Sequence, residues 1–560
     1  MDKLPQLIFL TLTLLGSLGL AACANDTVKA GCTYGETCSH YPRDFVILEN
    51  TEDEPSLYGI SWASDSLFAN ESNVSNRDSF EVFSYIGDSQ KDGYKDLWGP
   101  SAISYAATTS APSEGFFYVT AALENTLAVL NGSFFQNFSS LKYNETRCTS
   151  SPTQCDEACQ RACYQEALSS TLPASRVLRR DDFGHSYEVP VDTLLSHPAG
   201  LDTWSRASSV ILFVASRDGG QVSVFEHSLT STDASTESQV TYLRGIDTER
   251  PRRVLVLDPD PDDDEVQLIV LGTSETDDCP DSAALAAGTV ASADLREDFL
   301  SIYTITITNG VVTPRKVTEL RSGSCFGTLN CKTDSGLRGI RDIHIEAGAT
   351  DRLFMSNRCT NTIHERSLDF GATSSGVTTL SVGETIQRVY TLSDTGVFEG
   401  CEERPANLGF KGLTVSADYL YVASWETGYI LEWERDNETT LTKPKATCAL
   451  AAERCALRTC TEVNPNWYLR NDQTAHFYRN GTNQQNTMRP FPYAMKISGT
   501  GLYVSLDRNG QLAKCTIAEP AEAAEEEEAS ETDAAETMTE SSENLGLEVA
   551  ASLVDCQVLE

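Results

Sequence analysis

The chain is short of positive charge, of histidine pairs and of long apolar runs, and each shortage closes a class of function. Against 81 Asp and Glu it sets 42 Lys and Arg, for a formal net charge of −39. A surface of that sign repels phosphodiester backbones and anionic headgroups, so no nucleic acid is expected as a partner. Seven histidines are scattered (His40, His185, His197, His227, His344, His364 and His476), with no two at ligand spacing. There is no Gly-x-Ser-x-Gly, no His-Glu-x-x-His, no phosphate loop and no dinucleotide fingerprint, which removes the common local signatures of hydrolases, metalloproteases and nucleotide enzymes. Beyond residue 23 no run approaches the roughly 18 apolar residues of a spanning helix.

What is present starts with a targeting segment. Lys3 supplies its positive region and Leu7 to Leu20 an apolar stretch, too short for a mature span. The stretch ends in Leu20-Ala21-Ala22-Cys23, which resembles the lipobox of bacterial lipoproteins. The resemblance implies cleavage of a 1–22 signal peptide, acylation of Cys23 with palmitate-type chains, and firm anchoring, since several chains hold where one is marginal. Ala24 rather than Asp follows, which by the same resemblance implies the outer membrane, with the protein facing the periplasm or the surface. An ordinary secretory signal with a cysteine at its cleavage site is the plainer alternative.

Seventeen cysteines occur, and with Cys23 lipidated an even sixteen remain, which in an oxidising compartment reads as a disulfide framework. Cys32 and Cys38 can close a small loop. Cys515 and Cys556 lie on strand-like runs, Gln511–Ile517 and Ala551–Val558, where a bridge would hold the last hairpin closed. Two clusters are expected in helical stretches. Cys148, Cys155, Cys159 and Cys163 fall in or just before Asp156–Ser169, and Cys448, Cys455 and Cys460 in Ala446–Thr461. Disulfide-stapled insertions are the expectation; clustered thiolates also bind metals, but neither cluster has Cys-x-x-Cys spacing, and no metal site is assigned.

A strand–turn–strand pattern then recurs along the chain. Its copies are Gly115–Leu130, Val210–Glu226, Arg352–Leu368, Tyr419–Glu434 and Gly501–Thr516, with Val266–Thr273 and Phe299–Ile307 forming a sixth around an insertion. A basic residue and Gly precede three copies, at Arg244-Gly245, Arg338-Gly339 and Lys411-Gly412. Each unit thus offers an inner strand, two hairpin strands and an outer strand, and such units bury their faces by stacking radially. Leu420 to Ile430 (Leu-Tyr-Val-Ala-Ser-x-x-x-Gly-x-Ile), with Asn125-Thr126 inside the first copy, resembles the YVTN family of seven-bladed, WD40-like propellers.

The fold expected is therefore all-β, a seven-bladed β-propeller with small disulfide-stapled helical insertions; six or eight blades, or a β-sandwich, remain open. The expected order is a 23–44 linker, a 45–517 propeller with insertions near 144–200 and 440–488, a disordered acidic loop at 518–546, and a closing strand at 547–560. Glu519–Glu543 carries eleven carboxylates and no Lys or Arg, a composition that forms no core. The seventh blade is expected from Phe45–Ile86 joined by the C-terminal strand Ala551–Val558.

Chemistry in a propeller gathers where inner strands and hairpin turns meet at one mouth. Inner-strand candidates are Arg244, Arg338, Arg341, Asp342, His344, Lys411 and Lys496; hairpin-turn candidates are Arg217, Asp218, Arg358, Trp425, Glu426, Asp507 and Arg508. Arg and Lys so placed would bind carboxylates or phosphates, or would pair with carboxylates between blades. Asp258–Glu265 packs six acids into eight positions, and hard oxygen ligands in a loop can hold calcium, although the spacing is not that of an EF-hand and a solvated hairpin fits better. Three functions follow as expectations. The first is a non-catalytic lipoprotein propeller binding a protein, glycan or small anion at its mouth. The rivals are a propeller hydrolase or lactonase, with or without a metal, and a structural envelope component.

Overall fold

The computed structural model describes residues 42–48, 55–62, 66–70, 81–83, 97, 99–107, 115–133, 162, 163, 166, 168, 170, 175–183, 193–229, 240–258, 264–272, 298–321, 339–346, 351–358, 362–372, 378–382, 388–391, 409–425, 429–435, 445–447, 492–506, 511–517 and 553–559. They form seven antiparallel meander sheets, the blades of a seven-bladed propeller arrangement. Blade I is β1–β4 (Pro42–Leu48, Ser56–Ser61, Ser66–Asn70, Glu81–Phe83). Blade II is β5–β8 (Pro100–Ala106, Phe116–Ala121, Thr126–Asn131, Arg176–Arg179). Blade III is β9–β12 (Pro198–Ser205, Ser209–Ser216, Gln221–Ser228, Val240–Asp247), and blade IV is β13–β16 (Pro251–Leu257, Glu265–Gly272, Phe299–Thr308, Val311–Arg321).

Blade V contains β17–β21 (Ile340–Glu346, Arg352–Asn357, Thr362–Ala372, Thr378–Val382, Arg388–Thr391), with β20 and β21 sharing the outer edge of the long β19. Blade VI is β22–β25 (Phe410–Val415, Tyr419–Ser424, Tyr429–Glu434, Lys445–Thr447). Blade VII is β26–β29 (Pro492–Ser498, Gly501–Leu506, Gln511–Ile517, Leu553–Leu559). The chain divides into two compact units, the first made of Met1–Val254 with Gln473–Met488 and Asp507–Gln511, and the second of Leu255–Asp472, Arg489–Leu506 and Leu512–Glu560.

The second strand of each blade explains why the repeat was legible. β2, β6, β10 and β27 are buried along their whole length, because both faces are covered; such strands read as unbroken apolar runs rather than alternations. Each buried Val, Leu or Phe contributes about 1.5–3 kcal/mol. In the first unit Tyr118, Val129, Leu212, Phe225 and Tyr242 knit blades II and III together. In the second, Tyr421, Trp433, Leu502 and Val504 do so for blades VI and VII.

First strands pack side by side, β1 with β5 and β5 with β9 in the first unit, and β17 with β22 and β22 with β26 in the second. They are the inner strands. Polar bonds set their spacing: Ser101 Oγ donates to Pro198 O at 2.5 Å, and Leu413 N donates to Asp342 Oδ2 at 2.9 Å. Asp342 is thus a fastening between blades V and VI. At Gly412 a Cβ would sit 2.5 Å from Tyr493 O, so only glycine lets those two strands approach so closely.

Two expectations are corrected here. Residues 42–83 complete blade I alone, and the C-terminal strand β29 pairs instead with β28 to finish blade VII, since the acidic segment carries the chain back to the strand it left. Ala446 and Thr447, expected to be helical, lie in β25 against Ile430 and Leu431. The described residues Ala162, Cys163, Glu166, Leu168 and Ser170 are helical, and Cys163 is disulfide-bonded; the remainder of both cysteine clusters lies outside the described residues. So do the 1–41 segment with Cys23, Cys32 and Cys38, the whole acidic loop, and the middle of the Asp258–Glu265 run.

Candidate functional site at the lead-in to the inner strands

Three features recur at the start of the inner strands, each in at least five of the seven. A residue of positive φ leads into the strand in five blades: Gly99 (66°), His197 (48°), Arg250 (43°), Gly339 (64°) and Gly409 (61°). Five of the seven strands then open on proline, at Pro42, Pro100, Pro198, Pro251 and Pro492, a position where the missing N–H costs no ladder bond. A bulge follows, with register shifts at Pro42/Asp44, Pro100/Ala102, Ile340/Asp342, Phe410/Leu413 and Pro492/Met495. A bulge leaves a residue unpaired and turns its side chain out of the pleat. The residues so turned include Arg43 and Ser101 in the first unit, and Arg341, Lys411 and Tyr493 in the second.

Beside each bulge lies the residue that follows the second strand, held by a recurring bond. Its N–H donates to the carbonyl of the lead-in residue: Ala122 to Gly99 at 2.8 Å, Arg217 to His197 at 3.2 Å, Arg358 to Gly339 at 3.0 Å, and Trp425 to Gly409 at 3.1 Å. Three of the expected site residues, Arg217, Arg358 and Trp425, therefore occupy one structural position in blades III, V and VI. Within a blade the structure brings Trp425 to Lys411.

The second position interacts with the first. Lys411 Nζ lies 5.5 Å from the Trp425 ring centroid and 5.3 Å from that of Tyr493 on the next inner strand. In blade I, Arg43 lies 5.9 Å from the centroid of Trp62, which follows β2 as Trp425 follows β23. Such contacts contribute about 0.5–2 kcal/mol and hold the cationic groups against rigid aromatic faces. The arrangement suits recognition of an anion by pre-positioned cations.

Other expected residues fall elsewhere. Arg244 does not begin an inner strand; it lies exposed on β12, the outermost strand of blade III, opposite Val224. The basic-Gly pair is not one position at all. Gly245 is on an outer strand, Gly339 is a left-handed lead-in, and Gly412 is the close approach. Glycine serves a different need each time, so the shared dipeptide misled. His344 and Lys496 do lie on inner strands, half-buried opposite Phe354 and Tyr503. Arg338, Glu426, Asp507 and Arg508 lie outside the described residues. Among the described residues no group of three or more His, Cys, Asp or Glu converges to hold a metal.

Sequence reasoning missed Arg43, Trp62, His197, Arg250, Arg252 and Tyr493. The signal that finds most of them is Pro-x-x-apolar, ending on Phe45, Ile103, Leu201, Val254 and Met495.

The class defined by this topology is a β-propeller. No protein-family profile and no curated protein matches the sequence. Among solved structures the chain is similar to a hypothetical selenium-binding protein from Sulfolobus tokodaii, at 10% identity over 86% of this chain and 88% of that one, TM-score 0.40. It is similar to a candidate 6-phosphogluconolactonase from Bacteroides fragilis, at 10% identity over 87% and 93%, TM-score 0.35. A third is the Nup133 β-propeller domain of Vanderwaltozyma polyspora, at 9% identity over 69% and 80%, TM-score 0.31.

Proposed function

We propose that the protein is a non-catalytic binding propeller of the bacterial cell envelope, tethered through a lipid on Cys23, that takes an anionic ligand at the lead-in to its inner strands. One observation carries this reading. In a chain of net charge −39, the two recurring positions there hold Arg43 with Trp62, Arg341 with Arg358, and Lys411 with Trp425. Cations that recur at these positions, against an acidic background, favour an anion over a cation or a neutral surface.

The test is calorimetric titration of the full chain with citrate, in the wild type and in an Arg341→Gln/Lys411→Gln variant. Binding that weakens at least tenfold in the variant and falls with added salt supports the reading; unchanged binding, or none, removes it. Consumption of a lactone or ester probe by the wild type would move the protein to the hydrolase reading, which the His197–Asp218 pair at 3.8 Å favours. The anchor is tested separately: Cys23→Ser should move the chain from the membrane to the soluble fraction, and equal fractionation would remove that part.

A further inference from the structure

Four Asn-Gly pairs occur in the chain, beginning at Asn131, Asn309, Asn480 and Asn509, and the first two lie among the described residues. The fold treats those two oppositely. Asn309 and Gly310 are the central residues of the turn that joins β15 to β16, with φ of 52° and 76°. A two-residue hairpin turn of this kind needs left-handed backbone at both central positions, which Asn followed by Gly supplies most readily. The pair that the turn demands is also the one in which a backbone nitrogen comes up to the asparagine side chain with least hindrance, since glycine has no Cβ.

The tip of this hairpin stands clear of the blade. β14 pairs with β15 from Glu265↔Thr306 onward, whereas β15 and β16 run further, through Ile307↔Val312 and Thr308↔Val311. Thr308, Asn309, Gly310 and Val311 are all exposed, Val311 to 65%. A Cβ built on Gly310 would meet nothing within 4 Å. Neither Asn309 nor Gly310 makes a hydrogen bond to another described residue. The turn can therefore bring the Gly310 nitrogen to Asn309 Cγ without breaking a contact outside itself.

At Asn131 the same dipeptide is tied on every side. Gly132 N donates to Gly115 O at 2.7 Å, and Asn131 N donates to Ser175 Oγ at 2.8 Å. Asn131 Oδ1 accepts from Ser133 N at 2.9 Å and from Ser133 Oγ at 2.8 Å. Asn131 and Gly132 are half-buried. The nitrogen that would attack is aimed at a neighbouring carbonyl, and the amide that would be attacked is pinned by its oxygen.

We propose that Asn309 is a site of spontaneous covalent modification, deamidation through a cyclic imide, from which the fold protects Asn131. The Gly310 nitrogen gives its proton to solvent base and attacks Asn309 Cγ. The N–Cγ bond forms, the Cγ–Nδ2 bond breaks, and Nδ2 leaves as ammonia with a proton taken from water. A further water molecule adds to either carbonyl carbon of the five-membered ring and opens it. One product is aspartate; the other is isoaspartate, in which the main chain runs through the β-carbon. Nothing is oxidised or reduced. Either product places a new carboxylate, ionised at neutral pH, on the exposed tip of blade IV, and the isoaspartate form adds one carbon to the main chain of the turn. The proposal is independent of any anion bound at the lead-ins.

The test holds the native full chain in mildly alkaline buffer at physiological temperature and follows it by peptide mapping with mass spectrometry that separates aspartate from isoaspartate. Asn309 should convert at least tenfold faster than Asn131, and to both products. In urea strong enough to unfold the chain, the two asparagines should convert at similar rates, because the bonds that hold Asn131 are gone. Gly310→Ala, whose added Cβ meets only open space, should slow conversion of Asn309 at least tenfold by hindering the attacking nitrogen. Equal rates in the native wild type, aspartate without isoaspartate at 309, or an Asn131 that stays slow in urea would each overturn the proposal, as would unchanged conversion in Gly310→Ala.

Discussion

The hydroxyl of Tyr118 lies 2.9 Å from Nδ1 of His227, and both side chains are fully buried where blades II and III meet. Phe116 packs edge-on against the same imidazole at 4.7 Å. Burial, reinforced by the charge of Arg176, lowers the His227 pKa to about 4, and burial raises that of Tyr118 well above its usual value. The imidazole is therefore neutral in the fold but protonates near 6.5 in the unfolded chain. Below pH 6.5 the unfolded state binds a proton that the native state refuses, so stability falls with pH until about 4 and this contribution then levels off. The loss amounts to about 3 kcal/mol. Urea unfolding between pH 4 and 7 should show that decline in the wild type and a shallower one in His227→Gln; superimposable profiles would count against it.

Gly412→Ala should destabilise the second unit by about 1–3 kcal/mol. The added Cβ would meet backbone, Tyr493 O at 2.5 Å and Met495 N at 2.9 Å, which cannot swing aside as a side chain can. Gly310→Ala is the contrast: its Cβ would meet nothing within 4 Å, so the cost there is only that of a φ of 76°. Chemical denaturation of the two variants should rank Gly412→Ala as the more damaging.

Arg435 is buried and binds Glu346 through both terminal nitrogens, with Nη1 2.7 Å from Oε1, and it donates to Ala417 O at 3.0 Å. Its guanidinium also lies 5.3 Å from the Phe354 ring centroid. Arg435→Met should cost about 2 kcal/mol, because carboxylate and carbonyl acceptors lose a charged donor. Adding Glu346→Gln should restore part of that loss. A double variant that is worse by the sum of the two single changes would show that the pair is not coupled.

Cys515 is fully buried and disulfide-bonded. The register pairs Lys514 with Gln557 and Thr516 with Val554, which sets Cys515 opposite the stretch containing Cys556. Non-reducing peptide mapping should recover Cys515 linked to Cys556. Closing a loop of roughly forty residues constrains the unfolded chain by about 4 kcal/mol in the chain-entropy account, so Cys556→Ala should unfold at markedly lower denaturant. Recovery of Cys515 with any other cysteine would refute the pairing.

The hairpins of the six sequence copies all fall on second and third strands of blades, and the reason is burial. Residues such as Phe213, Val214, Leu268, Ile269, Tyr421 and Val422 are covered on both faces, so the chain must spell them as continuous apolar runs. Inner strands mix half-buried Arg252, Arg253 and Arg341 with buried Asp342 and Gly412, and they left no such trace. Arg217, Arg358 and Trp425 were found because turns after legible strands are easy to locate. His197, Arg250 and Arg252 were not, since it is only in space that His197 and Arg250 meet at Asp218 and that Arg252 acts on His197.

By itself the sequence determined the all-β class, the repeat, the acid excess and the absence of local catalytic signatures, because composition and apolar runs record burial directly. Only the tertiary structure decided which blade each strand completes, that the final strand joins blade VII, and that residues far apart in sequence occupy equivalent positions in their own blades. Those relations depend on register, bulges and left-handed residues, which set where a side chain points without changing how apolar the chain is around it.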